Sequence, residues 1–379
     1  MKLTFNKIFF CFFTLLWSVL IICNLVTPEK TFSENENRLL AKLPKYTNEK
    51  LINGEYMNEL DEYINDQFVF RDNWIYIKTM AERAMLKPDI NSVYFAEDGY
   101  LIEKHDESDV SEEQAQKNKD RLINFVKKYA DKLGEDRVNV MMVPTASMVL
   151  KDKLPPFATG YDQDAYIDEV IEALPKGTFI DVRNILNQHK EEYIYYRTDH
   201  HWTALGAFYA YEQWATDAGI MPLSQKQFDI TLASDQFFGT LHSRVNVNVK
   251  PDEIYLYKIK EDMNYQLLYN LTDHTDTLYD LSKLEGKDKY SVYMGGNNAL
   301  VEVKTNNKNG RRLLVIKDSY AHSFVPLAVN HYEETFMIDF RYYNAGVEEF
   351  IEENKITDVL VLYNTMNFVK DKNTLNFLK

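Results

Sequence analysis

The pattern of apolar and polar positions divides the chain into an N-terminal apolar run, a polar connecting stretch and a long mixed body. The run occupies residues 8–26 and contains no charged residue. At a rise of about 1.5 Å per residue, a helix of this length would be roughly 28 Å long, which is close to the hydrocarbon thickness of a bilayer. We therefore predict a transmembrane helix at residues 8–26.

The residues that flank this run indicate its orientation. Lys2 and Lys7 precede it, so the positive-inside rule places residues 1–7 in the cytoplasm and the rest of the chain outside. A cleaved signal peptide is the alternative, but the following sequence, NLVTPEK, lacks a small-x-small cleavage site. We predict an uncleaved signal anchor of a single-pass membrane protein. A stalk at residues 27–52 and an extracytoplasmic domain at residues 53–379 would follow it.

The body alternates between helical and strand-like patterns. Apolar residues spaced by three and four predict amphipathic helices within residues 53–87 and 112–133. The short apolar runs VNVMMV, LLVI, TFMI and DVLVL predict buried strands separated by helical stretches. This alternation predicts an α/β domain with a mostly parallel sheet. Residues 225–310 have strand-like alternation broken by Asn, Asp and Gly, so we expect a β-rich insertion there.

Composition narrows the classes of function. The formal net charge of −15 disfavours a general nucleic-acid binder, because so acidic a body repels phosphate. Hydrophobic residues make up 45% of the chain, enough for a large packed core. Both cysteines, Cys11 and Cys23, fall within the apolar run. Disulfides therefore cannot stabilise the predicted body.

Three short stretches can carry chemistry: Thr198–Trp202, Lys317–Tyr320 and Tyr363–Asn364. Each is expected at the carboxyl end of a strand or beside a helix start, where open α/β sheets place their ligands. The stretch Lys317–Tyr320 follows the apolar strand LLVI directly, so the Ser319 hydroxyl would stand above the sheet edge at the start of a helix. A serine in this position is a candidate nucleophile if a base can take its proton.

His201 is the candidate base, and Asp199 would orient its ring. In an extended segment, residues i and i+2 share a face, so the two side chains would meet and His200 would point the other way. The oxyanion hole would be formed by the backbone N–H at Ser319 and the side-chain amide of Asn364.

Each of these patterns also has a purely structural alternative. A serine between strand and helix is often an N-cap, an Asp-x-His pair is often a surface pair, and an Asn after a strand is often a turn residue. A metal site is the rival chemistry, and it would use Asp199, His200 and His201 with either His322 or His242. No His-x-His or His-x3-His spacing supports such a site, so we predict no metal.

Four residues are candidates for holding the substrate. Arg341 and Tyr342 follow the predicted strand FMIDF and would lie at the same sheet edge as Ser319. An arginine suits anionic or hydroxyl-rich ligands, although an ion pair with a nearby acidic residue is the alternative. Tyr320 and Trp202, which adjoin Ser319 and His201, complete the set.

At these residues the sequence resembles a known family. TDHHW, together with the upstream FSENENRLLAKLP and the downstream LLVIKDSYAHSFVP, resembles the bacterial DHHW family. That family is similar to the AlgX/AlgJ group of SGNH hydrolase-like O-acetyltransferase proteins, in which the Asp-x-His pair also precedes the serine. The resemblance covers about residues 31–368. It implies an SGNH-hydrolase-like α/β/α sandwich, acyl-ester chemistry on an exported polysaccharide, and an oxyanion-hole role for Asn364.

The sequence departs from the AlgX/AlgJ pattern in three respects. Lys317, Asp318 and Tyr320 stand around the serine where that group has Thr or Ser. The motif is DHHW rather than DTHW, which leaves His200 without an assigned role. We also expect no carbohydrate-binding module like that of AlgX after Asn364. These departures leave the identity of the substrate open.

Together, the sequence pattern and the family resemblance imply a membrane-anchored O-acetyltransferase or acetylesterase that acts on a cell-surface or secreted polysaccharide of a bacterial envelope. A noncatalytic SGNH-like protein for glycan binding or assembly is the alternative. We predict no cofactor for this enzyme, and we expect a partner to supply the acyl donor. The candidate partner is a membrane-bound O-acyltransferase.

Overall fold

The computed structural model describes residues 5–33 and 38–378. Residues 1–4 of the predicted cytoplasmic segment and 34–37 of the predicted stalk lie outside the described residues. Helices are α1 (Phe5–Val26), α2 (Asn48–Ile52), α3 (Glu55–Gln67), α4 (Arg71–Ala84), α5 (Glu112–Leu133), α6 (Ala146–Val149), α7 (Gln163–Ala173), α8 (Arg183–Gln188), α9 (Ala204–Asp217), α10 (Thr240–Val245), α11 (Ala321–Ala328), α12 (Val347–Glu353) and α13 (Thr365–Lys370). Strands are β1 (Phe32–Ser33), β2 (Arg38–Leu39), β3 (Asp89–Ile90), β4 (Val93–Phe95), β5 (Leu101–Glu103), β6 (Val138–Val143), β7 (Phe228–Phe237), β8 (Asp252–Ile259), β9 (Tyr265–Tyr269), β10 (Asp273–Thr275), β11 (Leu300–Thr305), β12 (Arg312–Lys317), β13 (Glu334–Ile338) and β14 (Asp358–Asn364).

The chain divides into two compact units. One comprises Met1–Lys87 with Ser243–Asn248, and the other comprises Pro88–His242 with Val249–Lys379. The predicted domain of residues 53–379 therefore includes α3 and α4 of the first unit as well as the whole of the second. All residues with candidate chemistry belong to the second unit.

Among its described residues, the first unit contains the N-terminal apolar helix α1, the helices α2, α3 and α4, and the end of α10. Helix α1 is long and apolar enough to cross a membrane, and none of its residues is buried within the protein. Both cysteines lie in this helix and are free thiols. Near its end, the Asn24 side chain accepts a hydrogen bond from the Val69 backbone N–H at 2.9 Å. The predicted apolar helix is therefore present, with bounds slightly wider than the predicted run.

A seven-stranded sheet forms the centre of the second unit, in the order β10-β9-β11-β13-β12-β14-β6. Strands β13, β12, β14 and β6 pair parallel with one another in that order. Strands β10, β9, β11 and β13 pair antiparallel with one another. The sheet is therefore mixed, with a parallel half and an antiparallel half.

The prediction of a mostly parallel sheet is wrong, and the region expected to be an insertion explains why. Strands β9 and β10 are joined by a short turn, and closely joined strands pair antiparallel. Together with β11 they extend the main sheet across its β13 edge. Only the β7–β8 hairpin of this region forms a sheet of its own. Three of the five strands in this segment, β9, β10 and β11, therefore continue the central sheet.

Helices cover both faces of the central sheet. Side chains alternate between the two faces along each strand, so a buried strand packs apolar side chains against both helical layers. On β12, Leu313 and Val315 join one hydrophobic cluster, which includes α9 and α11. Leu314 and Ile316 join the other, which includes α5, α7 and α13. Strands buried on both faces read as continuous apolar runs, which is how the sequence revealed them.

Candidate active site

Ser319 lies in a tight turn between β12 and α11. The turn is held by Asp318, whose Oδ1 accepts a hydrogen bond from the Tyr320 backbone N–H at 2.9 Å. The other oxygen, Oδ2, accepts from the Asn364 backbone N–H at 3.0 Å and from the Asn367 side chain at 2.7 Å. The nucleophile's turn is thereby tied to the end of the neighbouring strand β14. In the part of the chain that the structure describes, the Ser319 backbone N–H has no hydrogen-bond partner.

Asp199 and His201 lie in a bend that precedes α9. The bend is closed where Tyr195 pairs with Trp202 and where the Tyr196 N–H donates to the His201 carbonyl at 3.2 Å. Asp199 Oδ1 accepts from the His201 backbone N–H at 3.0 Å and lies 2.6 Å from His201 Nδ1. The carboxylate therefore fixes both the backbone and the ring of the histidine.

The structure brings Asp199, His201 and Ser319 together in the order expected of a catalytic triad. His201 Nε2 lies 2.8 Å from Ser319 Oγ, although the two residues are 118 positions apart in sequence. All three residues are buried. A ring held by a carboxylate at Nδ1 and facing a hydroxyl at Nε2 can accept the hydroxyl proton as a general base.

The orientation of His200 differs from the prediction. Its ring centroid lies 3.8 Å from that of His201, at an interplanar angle of 38°. The prediction assumed an extended segment, in which consecutive side chains point apart, but the segment is a bend. His200 Nδ1 lies 2.8 Å from Thr240 Oγ1.

Thr240 and Gly239 support the carboxylate of the triad. Asp199 Oδ2 accepts hydrogen bonds from the Thr240 backbone N–H at 2.8 Å and from its hydroxyl at 3.1 Å. A Cβ atom at Gly239 would lie 2.2 Å from Asp199 Cβ, so only glycine fits there. Burial alone would raise the pKa of the Asp199 carboxyl, but His200, His201 and these hydrogen bonds outweigh it and hold that pKa below its usual range.

A second buried carboxylate, Asp252, holds the bend itself. Its Oδ1 accepts from the Arg197 backbone N–H at 2.8 Å and from the Tyr193 hydroxyl at 2.5 Å. Its Oδ2 accepts from the Thr198 backbone N–H at 2.7 Å and from the Thr198 hydroxyl at 2.6 Å. Burial raises the pKa of Asp252, and the four hydrogen bonds oppose that rise. Sequence reasoning missed Asp252, Gly239 and Thr240, because no local motif marks them.

The structure places Asn364 at the start of α13. Its side-chain Oδ1 accepts from the Met366 and Asn367 backbone N–H groups, at 2.9 and 3.1 Å. The residue therefore caps the helix, which satisfies donors that would otherwise be unpaired. Among the described residues, the Asn364 side chain makes no hydrogen bond to Ser319, so an oxyanion role for Asn364 stays a prediction.

The four candidate substrate contacts have different surroundings. Tyr320 and Trp202 are fully buried: the Tyr320 hydroxyl donates to the His200 carbonyl at 2.5 Å, and the Trp202 indole donates to the Tyr320 carbonyl at 2.9 Å. These two are positioned as internal supports of the site. Arg341 binds both oxygens of Asp339, at 2.8 and 2.6 Å, which is the ion pair named as its alternative. Tyr342 is half exposed, beneath the Arg341 guanidinium.

Lys317 is a buried charge behind the nucleophile. Its Nζ donates to Asp339 Oδ2 at 3.0 Å and lies 2.8 Å from His322 Nε2. Burial lowers the pKa of Lys317, with Asp339 opposing the change. Burial and the Lys317 charge also hold the pKa of His322 well below its usual value, so this ring is a neutral acceptor.

The arrangement of histidines bears on the rival metal site. Among the described residues, Asp199, His200 and His201 form a cluster whose potential ligand atoms all lie within 4.8 Å of one another. His322 is not part of this cluster, since its Nε2 faces Lys317. Both ring nitrogens of His201 already face Asp199 and Ser319. A metal bound there would have to displace these two contacts.

Comparison with known proteins places the chain by family and by fold. A family model described as "DHHW protein" matches residues 116–338. The crystal structure of a DHHW family protein from Eubacterium siraeum is similar, with 27% identity, 76% of this chain and 96% of that chain covered, and a TM-score of 0.63. The structure of Bacillus cereus PatB1 with a sulfonyl adduct is also similar, with 19% identity and a TM-score of 0.61. The matched region covers 77% of this chain and 98% of the PatB1 chain.

A further solved structure is similar at a lower score. The O-acetyltransferase domain of Pseudomonas putida AlgJ is 12% identical, covers 74% of this chain and 93% of its own, and has a TM-score of 0.44. No curated protein matches this chain by sequence. The family predicted from the sequence is confirmed.

Proposed function

We propose, on the premise that this chain belongs to the DHHW family, that it is an O-acetyltransferase or acetylesterase of an SGNH-hydrolase-like α/β/α type. Its substrate would be a cell-surface or secreted polysaccharide. One observation carries the proposal: His201 Nε2 lies 2.8 Å from Ser319 Oγ while its Nδ1 lies 2.6 Å from Asp199. A noncatalytic glycan-binding protein has no need of a base beside a nucleophile.

In the first half-reaction, Ser319 Oγ attacks the carbonyl carbon of an acetyl ester, and His201 Nε2 takes the hydroxyl proton. The Ser319 backbone N–H is the available donor to the oxyanion that forms. When the tetrahedral intermediate collapses, the donor's alcohol oxygen leaves and receives the proton from His201. The products of this half-reaction are acetyl-Ser319 and the free alcohol.

In the second half-reaction, a sugar hydroxyl or water gives its proton to His201 and attacks the acetyl carbon. Collapse releases the acetylated sugar or acetate, and His201 returns the proton to Ser319 Oγ. Transferase and esterase therefore share every step except the identity of the acceptor. The acetyl donor would come from a membrane-bound O-acyltransferase, which stays a prediction, as do substrate contacts by Arg341 and Tyr342.

Turnover of an acetyl-ester reporter, with acetyl transfer to an oligosaccharide followed by mass, tests the catalytic proposal. We expect Ser319→Ala and His201→Ala each to lose at least about 10⁴ in rate, with the double variant little worse than either, because the residues act as a unit. Ser282→Ala, at an exposed serine of a short helical turn, is the matched control.

Full activity in Ser319→Ala would overturn the triad. Loss of activity on chelation would favour the metal at Asp199, His200 and His201. Glycan binding by a wild-type protein that turns over no ester would favour the noncatalytic alternative.

We further propose that α1 anchors the protein in the cell membrane, with the body outside. The support is its length, its apolar composition and the absence of buried residues within it. On extraction of membranes with alkaline carbonate, the full-length chain should stay in the pellet, and protease added to intact cells should degrade the body. A variant with Leu15→Lys and Leu16→Lys, which places two charges mid-helix, should lose retention. Recovery of the full-length wild-type chain in the soluble fraction would contradict the anchor.

A further inference from the structure

A tyrosine from the β-rich segment covers the ring of His201. Tyr290 belongs to a short helical turn, Lys289–Val292, about 90 residues along the chain from the histidine. Its ring centroid lies 3.8 Å from that of His201, and the two planes are nearly parallel at 12°. Tyr290 is buried, so this contact excludes water from the face that it covers.

The hydroxyl of the same residue reaches the nucleophile's backbone. Tyr290 OH donates to the Ser319 carbonyl at 3.1 Å and lies 3.2 Å from Ser323 Oγ. Burial raises the pKa of this phenol well above its usual value, so the group stays neutral. A single side chain therefore contacts the base through its ring and the serine through its hydroxyl.

We propose that Tyr290 is a positioning residue of the triad, which fixes the plane of His201 and stabilises the imidazolium that forms when Ser319 loses its proton. The face of an aromatic ring carries negative charge density and attracts a cation stacked upon it. Because His201 is neutral before attack and cationic during it, the attraction is stronger in the transition state than in the ground state. Only such differential interactions accelerate the chemical step.

Other groups around His201 also bear on its charge. Asp199 and His200 come from its own bend, and Ser319 and Tyr320 come from the turn before α11. His322, on α11, is held neutral by its burial and by Lys317. Asp199 is thus the one anion among these groups, and Tyr290 is the neutral ring stacked most nearly parallel to the imidazole.

The kinetic test rests on the proposed acetyl-ester activity and compares three variants of the full chain. Tyr290→Leu removes the ring, and we expect kcat to fall about tenfold with KM unchanged and the acid limb of the pH–rate profile to move about 0.5–1 unit lower. Tyr290→Phe keeps the ring, so its acid limb should match that of the wild type, and only the loss of the Ser319 contact should slow it a few fold. Tyr293→Leu, which removes a buried neighbouring tyrosine whose hydroxyl donates to the Tyr255 carbonyl, is the control for packing loss.

A second measurement does not depend on turnover or on the stability of the leucine variant. In the wild-type protein with labelled histidines, the ring-proton resonances of His201, assigned through His201→Gln, should be shifted upfield by the Tyr290 ring current. Tyr290→Phe should retain that shift. Absence of the upfield shift would overturn the proposal, as would an unmoved acid limb in a folded Tyr290→Leu or an equal movement in Tyr293→Leu. A wild-type protein that shows the upfield shift but turns over no ester would refute the proposed activity and leave the stacking intact.

Discussion

Ser319 and His201 meet at one hydrogen bond, yet the two are held there by different means. The serine side of the site consists of β12, the turn at Asp318–Tyr320 and α11. Strand β12 is buried between two helical layers, and every residue of α11 is buried. The base side is the bend at residues 196–202, which is neither helix nor strand and is held by side chains from elsewhere. The nucleophile is thus positioned by regular structure, and the base by individual hydrogen bonds.

This difference predicts different responses to mutation. Hydrophobic packing on the serine side is spread over many residues, so a change there acts mainly on the free energy of unfolding. Each hydrogen bond to a carboxylate on the base side contributes about 1.5–3 kcal/mol, and few contacts share the task. A single substitution on the base side can therefore remove activity while the fold persists.

Among substitutions outside the triad itself, the largest effect on activity is expected from Gly239→Ala. The new Cβ would fall 2.2 Å from Asp199 Cβ and 2.3 Å from its Oδ2, so the carboxylate must move away from His201. We expect kcat/KM to fall by roughly 10³–10⁴, as in triads whose aspartate no longer orients the histidine. Steady-state turnover of the acetyl-ester reporter measures it.

Gly286→Ala is the matched control, because its Cβ would meet only the Lys283 carbonyl oxygen at 3.7 Å and its φ is −88°. It should keep wild-type activity. A Gly239→Ala protein as active as this control would show that the Asp199 support is not needed.

A smaller effect, on the free energy of unfolding alone, is expected from replacing His331, which follows α11 on the serine side of the site. Its Nε2 lies 2.6 Å from the Tyr211 hydroxyl, which also accepts from the Leu223 backbone N–H. Burial, and then Arg311, lower the pKa of His331 to about 4. Because the unfolded pKa is about 6.5, stability due to the neutral ring is complete above that pH and declines as the pH falls towards 4.

We therefore expect the free energy of unfolding to fall by about 3 kcal/mol more in the wild type than in His331→Gln between pH 7 and pH 4, since each pKa unit corresponds to 1.36 kcal/mol. Urea unfolding of the full chain in detergent at the two pH values measures it, and the reporter activity of the variant at pH 7 should equal that of the wild type. Equal pH dependence in the two proteins would contradict a neutral buried His331.

The same contrast explains how much could be predicted from the sequence. Strand β12, its turn and its helix follow from a local apolar run, so the position of Ser319 was readable. The direction of the strands could not be predicted in the same way, because the antiparallel half of the sheet depends on which strands, distant in sequence, pair with each other. The supports of the base were also hidden: Thr240 is 41 positions from Asp199, and Asp252 is 54 positions from Thr198. Their side chains carry no motif, and only the folded chain brings them together.

The location of both cysteines in α1 has a practical consequence for chemistry at the site. Since residues 27–379 contain no cysteine, Ser319→Cys would place a solitary thiol in the body. The pH dependence of its alkylation by a small reagent would then report how readily His201 and Asp199 withdraw a proton at this position. The natural absence of thiols thus turns the proposed nucleophile into a site for selective labelling.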